Sequence, residues 1–133
     1  MITVVADTHT LIWALFNDPR LSQTARDTID QTIANGSEVG VSTITVVELV
    51  YLVEKGRLPL EALNRTLAQL RDSTSALVGV PLDDAIAETM RLIARSDVPD
   101  MPDRIIAATA LHLGVPVISK DRKITLSSVQ TIW

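Results

Sequence analysis

Two rhythms of hydrophobic residues alternate along the chain. Short β-branched runs at Thr3–Asp7 (TVVAD), Val39–Ser42 (VGVS), Ala76–Val80 (ALVGV), Val115–Ser119 (VPVIS) and Val129–Trp133 (VQTIW) read as buried strands. Longer amphipathic stretches lie between them. The first helix is capped by Thr8, has Leu11, Ile12, Leu15 and Phe16 on its apolar side, and ends at Asn17-Asp18-Pro19. A second runs from the Ser22 cap to Asn35-Gly36, a third from Thr43 to Lys55, and a fourth begins at Pro59. A fifth is capped by Asp83 or Asp84 and continues through Arg95. The sixth, within MPDRIIAATALHLG, opens with acid and closes at Gly114. Strands alternating with helices of this length predict an α/β fold with a parallel sheet covered on both faces. One doubly wound domain over residues 1–133 is expected, without repeat, linker or low-complexity tract.

Composition narrows the chemistry. The absence of cysteine removes disulfides, thiolate metal ligands and a thiol nucleophile. No apolar run is long enough to span a membrane, and the first residues lack the pattern of a signal peptide, so a cytoplasmic protein is expected. The net charge of −4 argues by itself against a nucleic-acid binder. That argument weakens if several of the acids hold divalent cations.

The acids are placed suggestively. Sites in open parallel sheets form beyond the carboxyl ends of the strands. Asp7 ends the first strand and Asp121 follows the fourth, while Glu48 and Asp103 lie near the starts of two helices. All four can reach one rim from distant parts of the chain. Simpler roles exist for some of them. Asp7 can cap a helix, Asp100 and Asp103 resemble a capping box, and Asp121 can be a turn residue in the basic run Lys120–Lys123. Glu48 is harder to explain in that way. Ile44, Thr45, Tyr51 and Leu52 stand three and four residues from it, so no cation on its helix can pair with it. Asp103 has Pro99, Asp100, Ile106 and Ala107 at the same spacing. Burial and mutual repulsion would raise both pKa values unless a cation restores the balance. A carboxylate set without cysteine suits Mg²⁺ or Mn²⁺ rather than Zn²⁺, with a metal-activated water attacking a phosphodiester. Thr8 and Ser119 flank two of the acids and can orient them, while Arg104, Lys120, Arg122 and Lys123 are candidates to hold phosphates.

The stretches VVADTHTLIWAL, STITVVELVYLVEKGRL, MPDRIIAATALHLGVPVISKD and VQTIW, in this order and spacing, resemble PIN-domain proteins. Within that family the chain is similar to the VapC-like ribonuclease toxins of bacterial toxin–antitoxin modules. The resemblance implies a three-layer α/β/α domain with a five-stranded parallel sheet. It matches the family's four acids to Asp7, Glu48, Asp103 and Asp121, and its hydroxyl before the last acid to Ser119. Asp100 matches an extra acid found in part of the family and reads here as a helix cap. The implied activity is that of a metal-dependent endoribonuclease, and the implied partners are RNA, a cognate antitoxin and a second copy in a homodimer. Trp13, Phe16, Tyr51 and Leu52 are candidates for the covered surfaces, although residues of these types are more often plain core. With four aromatic residues in the chain, recognition of a structured RNA is expected, through backbone and shape rather than base stacking.

Two other classes fit less well. Asp7-Thr8-His9-Thr10 resembles the nucleophile motif of haloacid-dehalogenase-like phosphatases, but His9 stands where that motif has its second aspartate. A non-catalytic receiver-like module needs a phospho-accepting aspartate ending the third strand, which here ends in Val80-Pro81. Neither His9 nor His112 is assigned a catalytic role.

Overall fold

A computed structural model describes residues 1–125 and 127–133. Five strands, β1 (Ile2–Ala6), β2 (Glu38–Ser42), β3 (Leu77–Val80), β4 (Val117–Ile118) and β5 (Thr131–Ile132), form one sheet in the order β3-β2-β1-β4-β5. Every pairing is parallel. The chain winds outward from β1 to β3 and then crosses back to β4 and β5. The order therefore reverses between β1 and β4, which is where open α/β sheets place their ligands.

Alternation along the strands feeds two hydrophobic layers. Val5 and Val117 point into one, with Ile86, Ile93, Val98 and the α6 residues Ile105 to Ala108 (α6, Met101–Leu113). Val4, Ala6 and Ile118 point into the other, against Ile12, Trp13, Leu21 and Ala25 of α1 (Thr8–Leu15), α2 (Gln23–Ala34) and the turn between them. Helix α3 (Thr43–Glu54) serves both layers, giving Ile44 to the first and Leu49 to the second. It is thereby clamped between the halves of the molecule, and Glu48 with it. The remaining helices are α4 (Leu60–Arg71), α5 (Asp84–Thr89) and a single turn, α7 (Arg122–Thr125).

The predicted strand–helix order is the observed one, with local corrections. Asp7, rather than Thr8, is the cap of α1, accepting from the Thr10 amide at 2.9 Å. Thr8 is already helical. Ser22 and Asp83 cap α2 and α5 through their own side chains. The fifth helix does not continue through Arg95. It tightens to a 3₁₀ turn at Met90–Leu92 and turns extended at Ile93. The Arg104 guanidinium donates to the carbonyls of Met90 at 2.8 Å, which also accepts from the Ile93 amide, and of Ile93 at 3.0 Å, bracing the chain where the helix breaks. Helix α6 ends as predicted at Gly114, whose φ of 69° is the left-handed conformation that glycine adopts freely.

Gly40 shows how tightly the centre of the sheet is filled. A β-carbon there would stand 3.0 Å from Ile2 and 3.3 Å from Val5 and Val80 side chains. Overpacking of this kind costs about 1–3 kcal/mol, more than the roughly 0.5–1 kcal/mol regained from the backbone entropy of glycine. Gly40→Ala is therefore expected to lower the melting temperature in calorimetry, and a rise would contradict the packing described.

Candidate metal centre

The carboxyl rim of the sheet gathers acids from four elements. Asp7 leaves the end of central β1, Glu48 lies in the second turn of α3, Asp103 in the first turn of α6, and Asp121 just past β4. Asp7, Asp103 and Asp121 line one open cavity of about 430 Å³, together with His9, Trp13 and Lys120. Glu48 feels the charges of Asp100 and Asp7, and Asp103 feels those of Asp100, Asp121 and Glu48. The four acids singled out in the sequence thus share one electrostatic environment, with Asp100 at its edge.

Hydroxyl groups hold two of them. Asp7 is buried; one oxygen caps α1 and the other accepts from Ser119 Oγ at 2.5 Å. Ser119 in turn accepts from the Asp121 amide at 2.9 Å, so one buried hydroxyl fixes Asp7 and shapes the turn that carries Asp121. Thr8 Oγ1 stands 2.6 Å from Glu48 Oε1 and donates to it. The only hydroxyl proton of Thr8 is committed to that carboxylate. Hence Thr45 Oγ1, at 3.1 Å, donates to Thr8. Thr45 was not singled out from the sequence, although its place one helical turn before Glu48 offered a signal. Thr10 adds a tie, donating to the Ile118 carbonyl at 2.9 Å and fastening the start of α1 to the end of β4.

Asp100 does what its capping pattern predicts, accepting from the Asp103 amide at 3.1 Å. Arg104 is not displayed to a substrate. Two of its donors are spent on the Met90 and Ile93 carbonyls, which anchors the first turn of α6 instead. Lys120 is the cation that lines the cavity.

Burial comes first in lifting Glu48 above the usual carboxylate range; the Thr8 hydrogen bond and the nearby His9 oppose it, and the charges of Asp100 and Asp7 add to it. Asp103 is pushed up to about 8 by burial, by a hydrogen bond with the Asp121 carboxyl, and by the charges of Asp100, Asp121 and Glu48. A carboxyl–carboxyl hydrogen bond requires a shared proton. The ion pairs seen among the described residues, Met1–Glu38, Arg20–Asp18, Arg65–Glu61 and Arg91–Glu88, leave Asp7, Glu48 and Asp103 without one. Among those residues, no three acids or histidines stand at coordinating distance as the side chains lie. The donor set fits a hard divalent cation in kind, all oxygen and short of positive charge.

A PIN-domain family model matches residues 4–129. The chain belongs to the PIN-domain family. Ribonuclease VapC22 of Mycobacterium tuberculosis is 31% identical to it over 124 residues, spanning 93% of this chain and 91% of that protein. Solved structures share the PIN fold over nearly the whole length. VapBC2 from Rickettsia felis, bound to a DNA fragment from its promoter, gives a TM-score of 0.71 at 15% identity, covering 98% of this chain and 97% of that one. DNA-bound VapBC from Salmonella typhimurium gives 0.68 at 24% identity with the same coverage. At these identities the likeness is one of fold.

The raised pKa of Asp103 has a measurable consequence in metal-free protein. Its carboxyl binds a proton more tightly in the folded state, near 8, than at its ordinary value of 3.8. The stabilisation is present below the unfolded value and is lost as pH rises through the folded one. Glu48, also raised, acts with the same sign. In chelator, the melting temperature is expected to fall between about pH 5 and about pH 8.5, and Asp103→Asn to flatten that fall. A curve that rises over this interval would contradict the assignment.

Proposed function

We propose that the chain is a metal-dependent endoribonuclease, the toxin of a toxin–antitoxin module, that hydrolyses RNA phosphodiesters. One observation carries this reading: four carboxylates from distant parts of the chain meet at the sheet's switch point, and two of them, Glu48 and Asp103, have no cation three or four residues away on their own helices. Asp7, Glu48, Asp103 and Asp121 are the metal-holding residues. A bound Mg²⁺ or Mn²⁺ supplies charge neutralisation and activation of a water for attack on phosphorus.

The remaining work falls to the chain itself. Ser119 holds Asp7 in one orientation, and Thr45 through Thr8 does the same for Glu48, so the carboxylates need little reordering to receive a cation. Asp100 and Arg104 fix the first turn of α6 and hence the place of Asp103. Lys120, on the cavity wall, is placed to meet a substrate phosphate.

The antitoxin partner is supported by relatives whose solved structures are toxin–antitoxin complexes. Of the apolar residues expected at covered surfaces, Tyr51 is 59% exposed and Trp13 only 8%, while Phe16 and Leu52 are half-buried. Tyr51 is thus the one available to a partner, whether antitoxin or second copy. Trp13 belongs to the core because it packs beneath the cavity. No helix among the described residues is long and apolar enough to cross a membrane. A cytoplasmic homodimer completes the proposal.

Asp7→Asn retains a capping oxygen, so loss of activity in that variant reports on charge rather than on helix start. With total RNA and Mn²⁺, Asp7→Asn, Glu48→Gln, Asp103→Asn and Asp121→Asn should each cut at background level while melting cooperatively. Ser119→Ala should lose about 10- to 100-fold, as expected when a ligand loses its orienting partner. Undiminished cleavage by Asp7→Asn, or by wild type in excess chelator, would overturn the proposal.

A further inference from the structure

The cavity beside the four acids has an aromatic wall. His9 and Trp13 sit one turn apart on α1, their ring centroids 5.6 Å apart and tilted by 46°. Trp13 is buried and backed by Trp133 at 5.8 Å in an edge-on arrangement, and the Arg20 guanidinium lies 5.2 Å from its ring. Arg20 is itself held by Asp18 at 2.7 Å. The Trp13 ring is thus fixed on several sides. His9, by contrast, is exposed, its ring tilted against Trp13 and lining the cavity.

We propose that His9, buttressed by Trp13, presents a stacking surface for one nucleobase of a single-stranded RNA, next to the place where a cation held by Asp7, Asp103 and Asp121 would meet the phosphodiester. This rests on the reading of the chain as a ribonuclease and adds to it the kind of substrate that the site takes. The electrostatics favour such a contact. Among the described residues, Lys120 is the one lysine or arginine that lines the cavity, so charge contacts there supply only part of the affinity for RNA. Stacking does not depend on net charge, and it accepts any base because every base has a π face. A ring already braced by Trp13 loses little further freedom on binding. The expectation from composition was recognition by backbone and shape. Trp13 and His9 on the cavity wall, with Trp133 behind Trp13, favour adding a base contact to it.

The test is steady-state cleavage of a short, fluorescently labelled single-stranded oligoribonucleotide by wild type, His9→Ala and His9→Phe, with Mn²⁺ saturating. Phenylalanine keeps a flat face and loses both ring nitrogens and any charge. The proposal expects His9→Ala to raise KM by about 5-fold or more, with the smaller part of the loss in kcat, and His9→Phe to stay within about 2-fold of wild type. An unchanged KM in His9→Ala would overturn it while leaving the ribonuclease reading intact. Equal loss in both variants would also overturn it, because the nitrogens rather than the face would then matter. Failure of wild type to cut any RNA would overturn the ribonuclease reading and the stacking surface together.

Discussion

Mutual repulsion among carboxylates is the constraint around which the molecule is built. Asp7, Glu48, Asp103 and Asp121 occupy one rim, and Asp100 adds a fifth charge at its edge. At close range, in partial burial, such groups cannot all be ionised without a counter-charge. The metal-free chain answers by keeping a proton on Asp103, whose carboxyl is hydrogen-bonded to Asp121 and pushed up to about 8. A divalent cation would do the same work more completely, and on the proposed function that is the state in which the chain cuts RNA. The stabilities of the site and of the fold are thereby linked through the occupancy of one position by a proton or a metal.

Holding repelling groups together requires a rigid frame, and each part of the fold contributes to it. Central β1 is hydrogen-bonded on both sides, which fixes the exit of Asp7. Helix α3 is wedged into both hydrophobic layers, which fixes Glu48. The first turn of α6 is closed by the Asp100 cap and tied through Arg104 to the end of the preceding 3₁₀ turn. Buried hydroxyls complete the frame. Ser119 and Thr8 are short side chains that donate to Asp7 and Glu48 without adding charge. A lysine in either place would cancel part of the rim's charge and lessen its demand for a cation.

Much of this was legible in the sequence because the relevant signals are local. β-Branched runs marked the five strands, and Gly114 marked the end of α6. Glu48 was conspicuous for lacking any cation at helical spacing. Asp100 showed its capping role through the spacing to Asp103. What escaped the sequence depended on contacts between distant segments. The fifth helix breaks early where a guanidinium eleven and fourteen residues further on braces its carbonyls, and no local propensity announces that. The donor relay from Thr45 joins residues 37 positions apart. Arg104 was one of four cations that could be phosphate contacts or plain surface charge, and the carbonyls that take up its donors lie in a segment the sequence does not connect to it. Trp13 could be read either as core or as covered surface, and the packing against Trp133 that marks it as core is a contact between the two ends of the chain.

The account is tested most directly by counting the protons released when metal enters the site. Asp103, held near 8, is mostly protonated at neutral pH and must lose its proton to become a ligand. Mn²⁺ should be titrated calorimetrically into the protein near pH 7, in two buffers of different ionisation enthalpy. Saturable binding with release of roughly one proton per site, abolished in Asp103→Asn, is the predicted result. Binding heats that do not depend on the buffer, or no saturable binding at all, would contradict the claim that a divalent cation replaces the proton among these carboxylates.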